Sequence, residues 1–294
     1  MTRADWTRLA ILSVLWGGSF LFIEIALEGL PVLTIVWARV ALAAVILGLV
    51  IGLSGAGFPN RSVWPALLVM GCLNNVVPYT LFVTAQGQIT GALASVLNAT
   101  TPLFTVLVAH LATRDERITP AKAAGLGLGF AGVVVMLAGE GLGGDAVAML
   151  ACLMAALSYG VAGVWGRRFR ALGVAPLATA FGQVAASAAM LLPIWLWADA
   201  PWSMGWPGLR PVAAVVALAG LSTALAYLLY FRLLANAGPT NLSLVTFVIP
   251  VSASALGWLV LGEALHPADL AGFALIVAGL LAIDGRVGRW LGAR

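Results

Sequence analysis

The sequence is poor in charge. Only 9% of its 294 residues are Asp, Glu, Lys or Arg, whereas 62% are apolar and the mean hydropathy is +1.05. One water-soluble core of this size could not bury so much apolar surface, so the composition excludes an ordinary soluble domain and reads as an integral membrane protein. Cysteine is almost missing. Cys72 and Cys152 sit singly inside apolar runs, which argues against a disulfide framework or a cysteine metal site and for apolar filler. Neither His110 nor His266 has metal-binding spacing. The chain also lacks a His-Glu-x-x-His pair, a nucleophile elbow and a phosphate-binding Gly-Lys-Ser/Thr loop, so no enzyme, cofactor or metal is expected. A pI near 9.6 would suit nucleic acid, but the basic residues fall in short clusters between apolar runs and form no stripe with interleaved aromatics. No nucleic-acid partner is expected, and the lipid bilayer explains the charges better.

What the chain has in abundance is long apolar runs. Crossing a hydrocarbon core of about 30 Å takes about 20 apolar helical residues. Ten runs meet that need: 8–27, 33–53, 64–84, 91–112, 120–138, 146–166, 176–197, 211–232, 240–261 and 268–284. Helices are expected because a chain in lipid must satisfy its own backbone hydrogen bonds, and the runs are too long for barrel strands. The first run is long for a signal-peptide core, holds Glu24 and lacks a small-x-small cleavage site, so it reads as a retained span.

Orientation follows from the basic residues. With a cytoplasmic N-terminus, Arg3, Arg8, Arg61, Arg114, Arg117, Lys122, Arg167, Arg168, Arg170, Arg232, Arg286, Arg289 and Arg294 all fall inside. Arg210 falls outside and Arg39 lies within a span. Both termini are then cytoplasmic. Trp195, Trp197, Trp202 and Trp206 read as an interfacial belt on the outer side, where an indole can keep its NH wet.

The chain also repeats itself. "DERITPAKAAG" from Asp115 and "GEALHPADLAG" from Gly262 share Glu116/Glu263, Pro120/Pro267, Ala121/Ala268, Ala124/Ala271 and Gly125/Gly272 at an offset of 147, half the chain. Gly132 meets Gly279 at the same offset; Tyr79/Tyr227, Ser95/Ser243 and Pro102/Pro250 match at 148, and Gly17/Gly160 and Val40-Ala41/Val184-Ala185 at 143 to 144. A near-constant offset over most of the chain indicates duplication. Five spans per half is an odd number, so the second copy enters the membrane from the opposite side. The expected fold is all-α and polytopic, with ten transmembrane helices in two inverted five-helix repeats, 1–142 and 143–294, around a central cavity. Inverted repeats of this kind suit alternating access, with substrate near the midplane where the halves meet.

"LWGGSF" in the first span, "WARVALAA" in the second, the proline-centred fourth and ninth spans and the repeated Glu-x-x-x-Pro-Ala-x-x-Ala-Gly resemble the drug/metabolite transporter superfamily, in its ten-span EamA-type branch. The resemblance covers nearly the whole chain. It implies a basket of helices exporting small metabolites across the inner (cytoplasmic) membrane, with neutral or aromatic amino acids as the nearest class. The alternatives are a proton-coupled drug or metabolite exporter and a membrane channel, for which the sequence offers no filter-like repeat or ring of like charges. Monomer and homodimer both stay open.

Polar residues inside spans are costly and face a cavity or another helix. Asn75 and Tyr79, four apart beside Pro78 and next to Asn74, read as cavity-lining, with helix-to-helix bonding as the alternative. Asn98, Thr101 and Thr105 in the fourth span, and Ser243, Thr246 and Pro250 in the ninth, share one spacing and read as polar stripes unless the hydroxyls bond back to their own helices. Pro102 and Pro250 are expected to bend these two helices at corresponding depths as gating elements. Trp16, Phe20, Tyr159, Tyr227 and Phe247 are expected to supply an aromatic lining, the alternative being packing alone. Glu24 and Arg39 read as a buried ion pair between the first two spans, as a gate, or, for Glu24, as a proton-coupling group. Gly125, Gly127, Gly129, Gly132, Gly272 and Gly279 offer close helix packing, joining the halves or forming a dimer face.

Overall fold

A computed structural model describes residues 2–112, 118–140, 144–242, 245–263 and 267–284. Every regular element among them is helical. The first helix, α1 (Arg3–Leu27), opens on a reciprocal cap: the Asp5 amide donates to Thr2 Oγ1 at 3.2 Å and the Thr2 amide donates to Asp5 Oδ2 at 3.0 Å. Pro31 precedes α2 (Val32–Ser54), and Gly55 ends it in a left-handed conformation, φ +67°, that suits glycine. The third run is a pair, α3 (Trp64–Gly71) and α4 (Val77–Ala85), joined through a π-turn at Cys72–Val76. The fourth is also a pair, α5 (Gly91–Asn98) and α6 (Thr101–Ala112), broken at Ala99 and Thr100. Then come α7 (Pro120–Glu140), α8 (Gly144–Ala171) and α9 (Pro176–Ala198). The next pair, α10 (Leu209–Ala219) and α11 (Ala226–Leu242), is joined through a second π-turn at Gly220–Leu225. The described helices end with α12 (Val245–Leu261) and α13 (Pro267–Asp284).

Seven stretches are long and apolar enough to cross a membrane: Arg3–Leu27, Val32–Ser54, Arg61–Ala85, Gly91–Ala112, Asp145–Ala171, Pro176–Ala198 and Leu209–Leu234. Three shorter apolar helices, Pro120–Val135, Val248–Leu261 and Leu270–Ile283, accompany them. The protein is therefore a polytopic, all-helical membrane protein.

The main packing pairs are α7 with α13, α2 with α9, α1 with α12, α8 with α4 and α6, and α1 with α10 and α11. Glycine sets the closest approaches. A Cβ on Gly125 would stand 2.5 Å from the carbonyl oxygen of Gly279, and one on Gly132 would stand 2.5 Å from that of Gly272, so α7 and α13 cross antiparallel through bare backbone. Likewise Gly17 admits Ser252 of α12, and Gly160 admits the α6 backbone at Phe104. Gly127, expected in the same seam, instead has open space where a Cβ would be.

Two further expectations need correction. Pro102 does not bend a continuous helix: the chain breaks before it, and Pro102 occupies the second position of α6, where a missing amide hydrogen costs nothing. Pro250 lies inside α12, five residues after its start, so the two prolines occupy unlike backbone settings. Of the four tryptophans, Trp197, Trp202 and Trp206 are 75% or more exposed, but Trp195 stacks on Trp37 at 3.8 Å between centroids and donates from Nε1 to Thr34 Oγ1 at 2.9 Å. Asp199 completes that joint, accepting from the Thr34 amide and hydroxyl, each at 2.7 Å, and so fastens the end of α9 to the start of α2.

Candidate functional site

A cavity of about 690 Å³ lies where α1, α2, the α3/α4 and α5/α6 pairs, α8, α9, the α10/α11 pair and α12 converge. Its size suits a small molecule. Trp16, Phe20, Arg39, Tyr79, Asn98, Thr101, Pro102, Tyr159, Tyr227 and Thr246 all line it. Its lining extends to Gly166 and Phe169 near the end of α8 and to Leu234 on α11.

The aromatic residues form two groups along the wall. Trp16 tilts against Tyr230 with centroids 5.7 Å apart, Phe20 meets Phe82 edge-on at 5.8 Å, and Phe82 in turn stacks near Tyr159 at 6.2 Å. Such rings give apolar area with polar rims at the tyrosines. Phe247 belongs to α12, but its side chain lies outside the described residues, as does the whole of Ser243.

The polar wall departs from the helical spacing. A π-turn inserts an extra residue into a helical turn and so changes which side chains face inward. As a result Asn74 lines the cavity and Asn75 does not. Asn75 is fully buried in the wall, donating from Nδ2 to Ser187 Oγ at 3.0 Å and accepting at Oδ1 from the Tyr227 hydroxyl at 3.3 Å. Asn74 donates from Nδ2 to Gln183 Oε1 at 2.9 Å and to the Tyr227 hydroxyl at 3.3 Å. Gln183, Ser222 and Tyr230 line the cavity without having been singled out from the sequence. A signal for Gln183 was present: it stands 144 residues after Arg39, the offset that joins Val40 to Val184.

On α6, Thr101 Oγ1 donates to the Asn98 carbonyl at 2.8 Å and Thr105 Oγ1 to the Thr101 carbonyl at 2.9 Å, so these hydroxyls bond back to their own chain although both residues line the cavity. Pro250 and Glu24 are not among the lining residues.

Glu24 and Arg39 are not joined. Arg39 Nε donates to Thr223 Oγ1 at 3.0 Å, and its guanidinium lies 3.6 Å over the ring of Tyr79. Glu24 turns instead toward the start of α5, where Oε2 accepts from the Gly91 amide at 3.3 Å; Glu263 Oε1 accepts from the same amide at 3.1 Å. The helix N-terminus offers unpaired N–H groups that attract carboxylates, and this outweighs a pairing across the α1–α2 interface. Beside it, Gln86 Nε2 donates to the Phe20 carbonyl at 2.9 Å. No cluster of His, Cys, Asp and Glu that could hold a metal occurs among the described residues.

The sequence profile of the EamA-like transporter family matches this chain twice, over residues 6–138 and 146–283. The uncharacterized inner membrane transporter YedA of Escherichia coli is 25% identical over 284 residues, covering 96% of this chain and 90% of its own length. A probable terminal-alkyne amino-acid exporter of Streptantibioticus cattleyicolor is 26% identical over 293 residues, covering 97% of this chain and 95% of its own. A protein of known crystal structure superposes with a TM-score of 0.66 at 24% identity, covering 96% of both chains, which is a likeness of fold. Two profile matches that together take in both walls of the cavity identify this chain as a member of the EamA-like transporter family, a membrane transporter.

Proposed function

We propose that the protein exports small metabolites, neutral or aromatic amino acids foremost, across the inner membrane by alternating access, with no catalytic step. The carrying observation is the cavity itself: aromatic and amide side chains converge on it from both profile-matched segments, as expected where two halves enclose a substrate. The relative named as an amino-acid exporter supports the substrate class.

The working architecture is ten spans in two inverted repeats, 1–142 and 143–294, with both termini cytoplasmic. Its support is the reciprocity of the packing. Gly125 opposes Gly279 and Gly132 opposes Gly272, so each glycine meets the counterpart of the other at the 147 offset. Gly17 against Ser252 mirrors Gly160 against Phe104, since Ser252 and Phe104 stand 148 apart. Exchange of the two halves maps one contact onto the other. With this orientation the cavity reaches toward the cytoplasm past Phe169 and Leu234, and the contacts of Glu24, Gly91, Glu263 and Gln86 close its outer end.

The test is transport by the purified protein in proteoliposomes, with labelled L-phenylalanine, L-leucine, a nucleoside and a cationic drug. Saturable phenylalanine or leucine flux is expected; flux of the nucleoside or drug alone sinks the amino-acid reading. One observation favours a second reading, proton-coupled export: two carboxylates, Glu24 and Glu263, face one amide at the closed end. Under it, flux follows an imposed proton gradient and Glu24→Gln abolishes that dependence; gradient-independent flux rejects it.

A further inference from the structure

Arg39 is the one charged side chain among the described residues that line the cavity. A guanidinium carries five N–H donors. One, on Nε, is used by Thr223 Oγ1, and one face of the plane rests on Tyr79. Among the described residues no carboxylate lies within ion-pair distance, and no acceptor faces the terminal nitrogens. Nor are those nitrogens sealed in protein: among the described residues the buried polar side-chain atoms without a partner are Trp37 Nε1, Gln86 Oε1 and Ser222 Oγ.

An unpaired cation at membrane depth is costly, and such residues mark substrate or ion pathways. Arg39 sits among aromatic side chains that line the same cavity, Tyr79 beneath its plane and Tyr227 and Tyr230 further along the wall. The guanidinium thus stands ready for an acceptor that the described residues do not themselves provide. A guanidinium matches a carboxylate through two parallel N–H bonds.

We propose that Arg39 anchors the carboxylate of the transported molecule, and that the aromatic wall at Trp16, Phe82 and Tyr230 takes an apolar or aromatic body. This rests on the export reading above and narrows it. Because no carboxylate lines the cavity among the described residues, an ammonium group finds only neutral acceptors there. The site therefore selects carboxylic acids over the matching amines, and the amino group of an amino acid is tolerated more than required.

The experiment uses the full-length protein in detergent and in proteoliposomes, with 3-phenylpropionate, its amide, phenethylamine, 4-methylpentanoate and its amide, and L-phenylalanine as probes. Thermal midpoint and flux are read for the parent and for Arg39→Gln and Arg39→Lys. At least one of the carboxylates should raise the midpoint and be carried, and the amides and the amine should do neither. Arg39→Gln should raise the half-saturating carboxylate concentration about tenfold or more, with Arg39→Lys between. If Arg39→Gln fails to fold, Arg39→Lys decides, because it keeps the charge and loses the fork; unchanged carboxylate affinity there overturns the proposal. Equal action of acid and amide on the parent overturns it, as does a parent that responds to no carboxylate. Carriage of 3-phenylpropionate without L-phenylalanine leaves the anchor standing and removes the amino-acid reading. Equal phenylalanine flux in the parent and Arg39→Gln does the reverse.

Discussion

The two π-turns perform the same task with different chemistry. Asn74 and Ser222, and Asn75 and Thr223, stand 148 residues apart, the offset that also joins Tyr79 to Tyr227. In each turn the first residue lines the cavity and the second is buried. The buried one braces the wall: Asn75 bonds Ser187 on α9, and Thr223 accepts from Arg39 on α2 while donating to the Leu218 carbonyl at 2.9 Å. The first turn thus joins an amide to an amide, Asn74 to Gln183, whereas the second joins a hydroxyl to a guanidinium, Thr223 to Arg39. The turn has the same form at both positions, while its polar partners differ. Beside the first turn two amides bond one another; beside the second the guanidinium, held only at Nε, keeps its terminal donors for other partners.

The largest expected break in this comparison lies beside the first turn. A Cβ on Gly71 would meet the Gln183 carbonyl oxygen at 2.7 Å and Ser187 Oγ at 2.8 Å, whereas its 148-offset counterpart is Ala219, buried without difficulty. Gly71→Val should destabilise by about 3 kcal/mol, through forced separation of α3 from α9. Recovery of monodisperse protein after heating checks this, and normal thermal stability would show that the wall yields.

The next effect separates brace from lining. Asn75→Leu should lower stability by about 2 kcal/mol, because it strips partners from Ser187 and Tyr227 in a buried setting. Asn74→Leu should leave the midpoint within about 1 kcal/mol of the parent yet cut flux about tenfold, a change of about 1.4 kcal/mol in the barrier. Parallel losses of stability and flux in both variants would erase the distinction.

The smallest effect concerns Pro102 and Pro250. If α6 and α12 open opposite mouths, Pro102→Ala and Pro250→Ala should shift cysteine-labelling rates at the inner and outer mouths in opposite senses, by about threefold. Pro250→Ala should act more strongly, since it restores an amide hydrogen inside α12, whereas Pro102 stands at the start of α6, where none is needed. Shifts of the same sign in both would remove the pairing.

Apolar run length and charge made the helices legible, because both report the solvent surrounding each segment. Ring residues such as Trp16, Phe20 and Tyr159 were legible for the same reason: large polarisable groups in the middle of spans crowd toward a shared interior. The polar details were not. Spacing rules assume 3.6 residues per turn, and a π-turn violates that assumption without a residue signature, so Asn75 was favoured over Asn74. Pro102 drew attention to itself, while the break came earlier, at Ala99 and Thr100, which carry no such mark. Glu24 and Arg39 were joined because opposite charges on successive spans invite it. Their real partners, the Gly91 amide and Thr223, come from segments 67 and 184 residues away, and no local pattern announces them.

Between α7 and α13 the spacing leaves no slack. Gly125 and Gly132 present bare main chain to Gly279 and Gly272, with Ile283, Leu275 and Ile276 packed close beside them. A side chain can yield to a neighbour by changing rotamer, but a main chain cannot, so the distance between these two helices is fixed by the thickness of the backbone itself. The pair behaves as one stave of the barrel, unlike the joint that Asp199 and Trp195 make with Thr34, where hydrogen bonds can be exchanged for others.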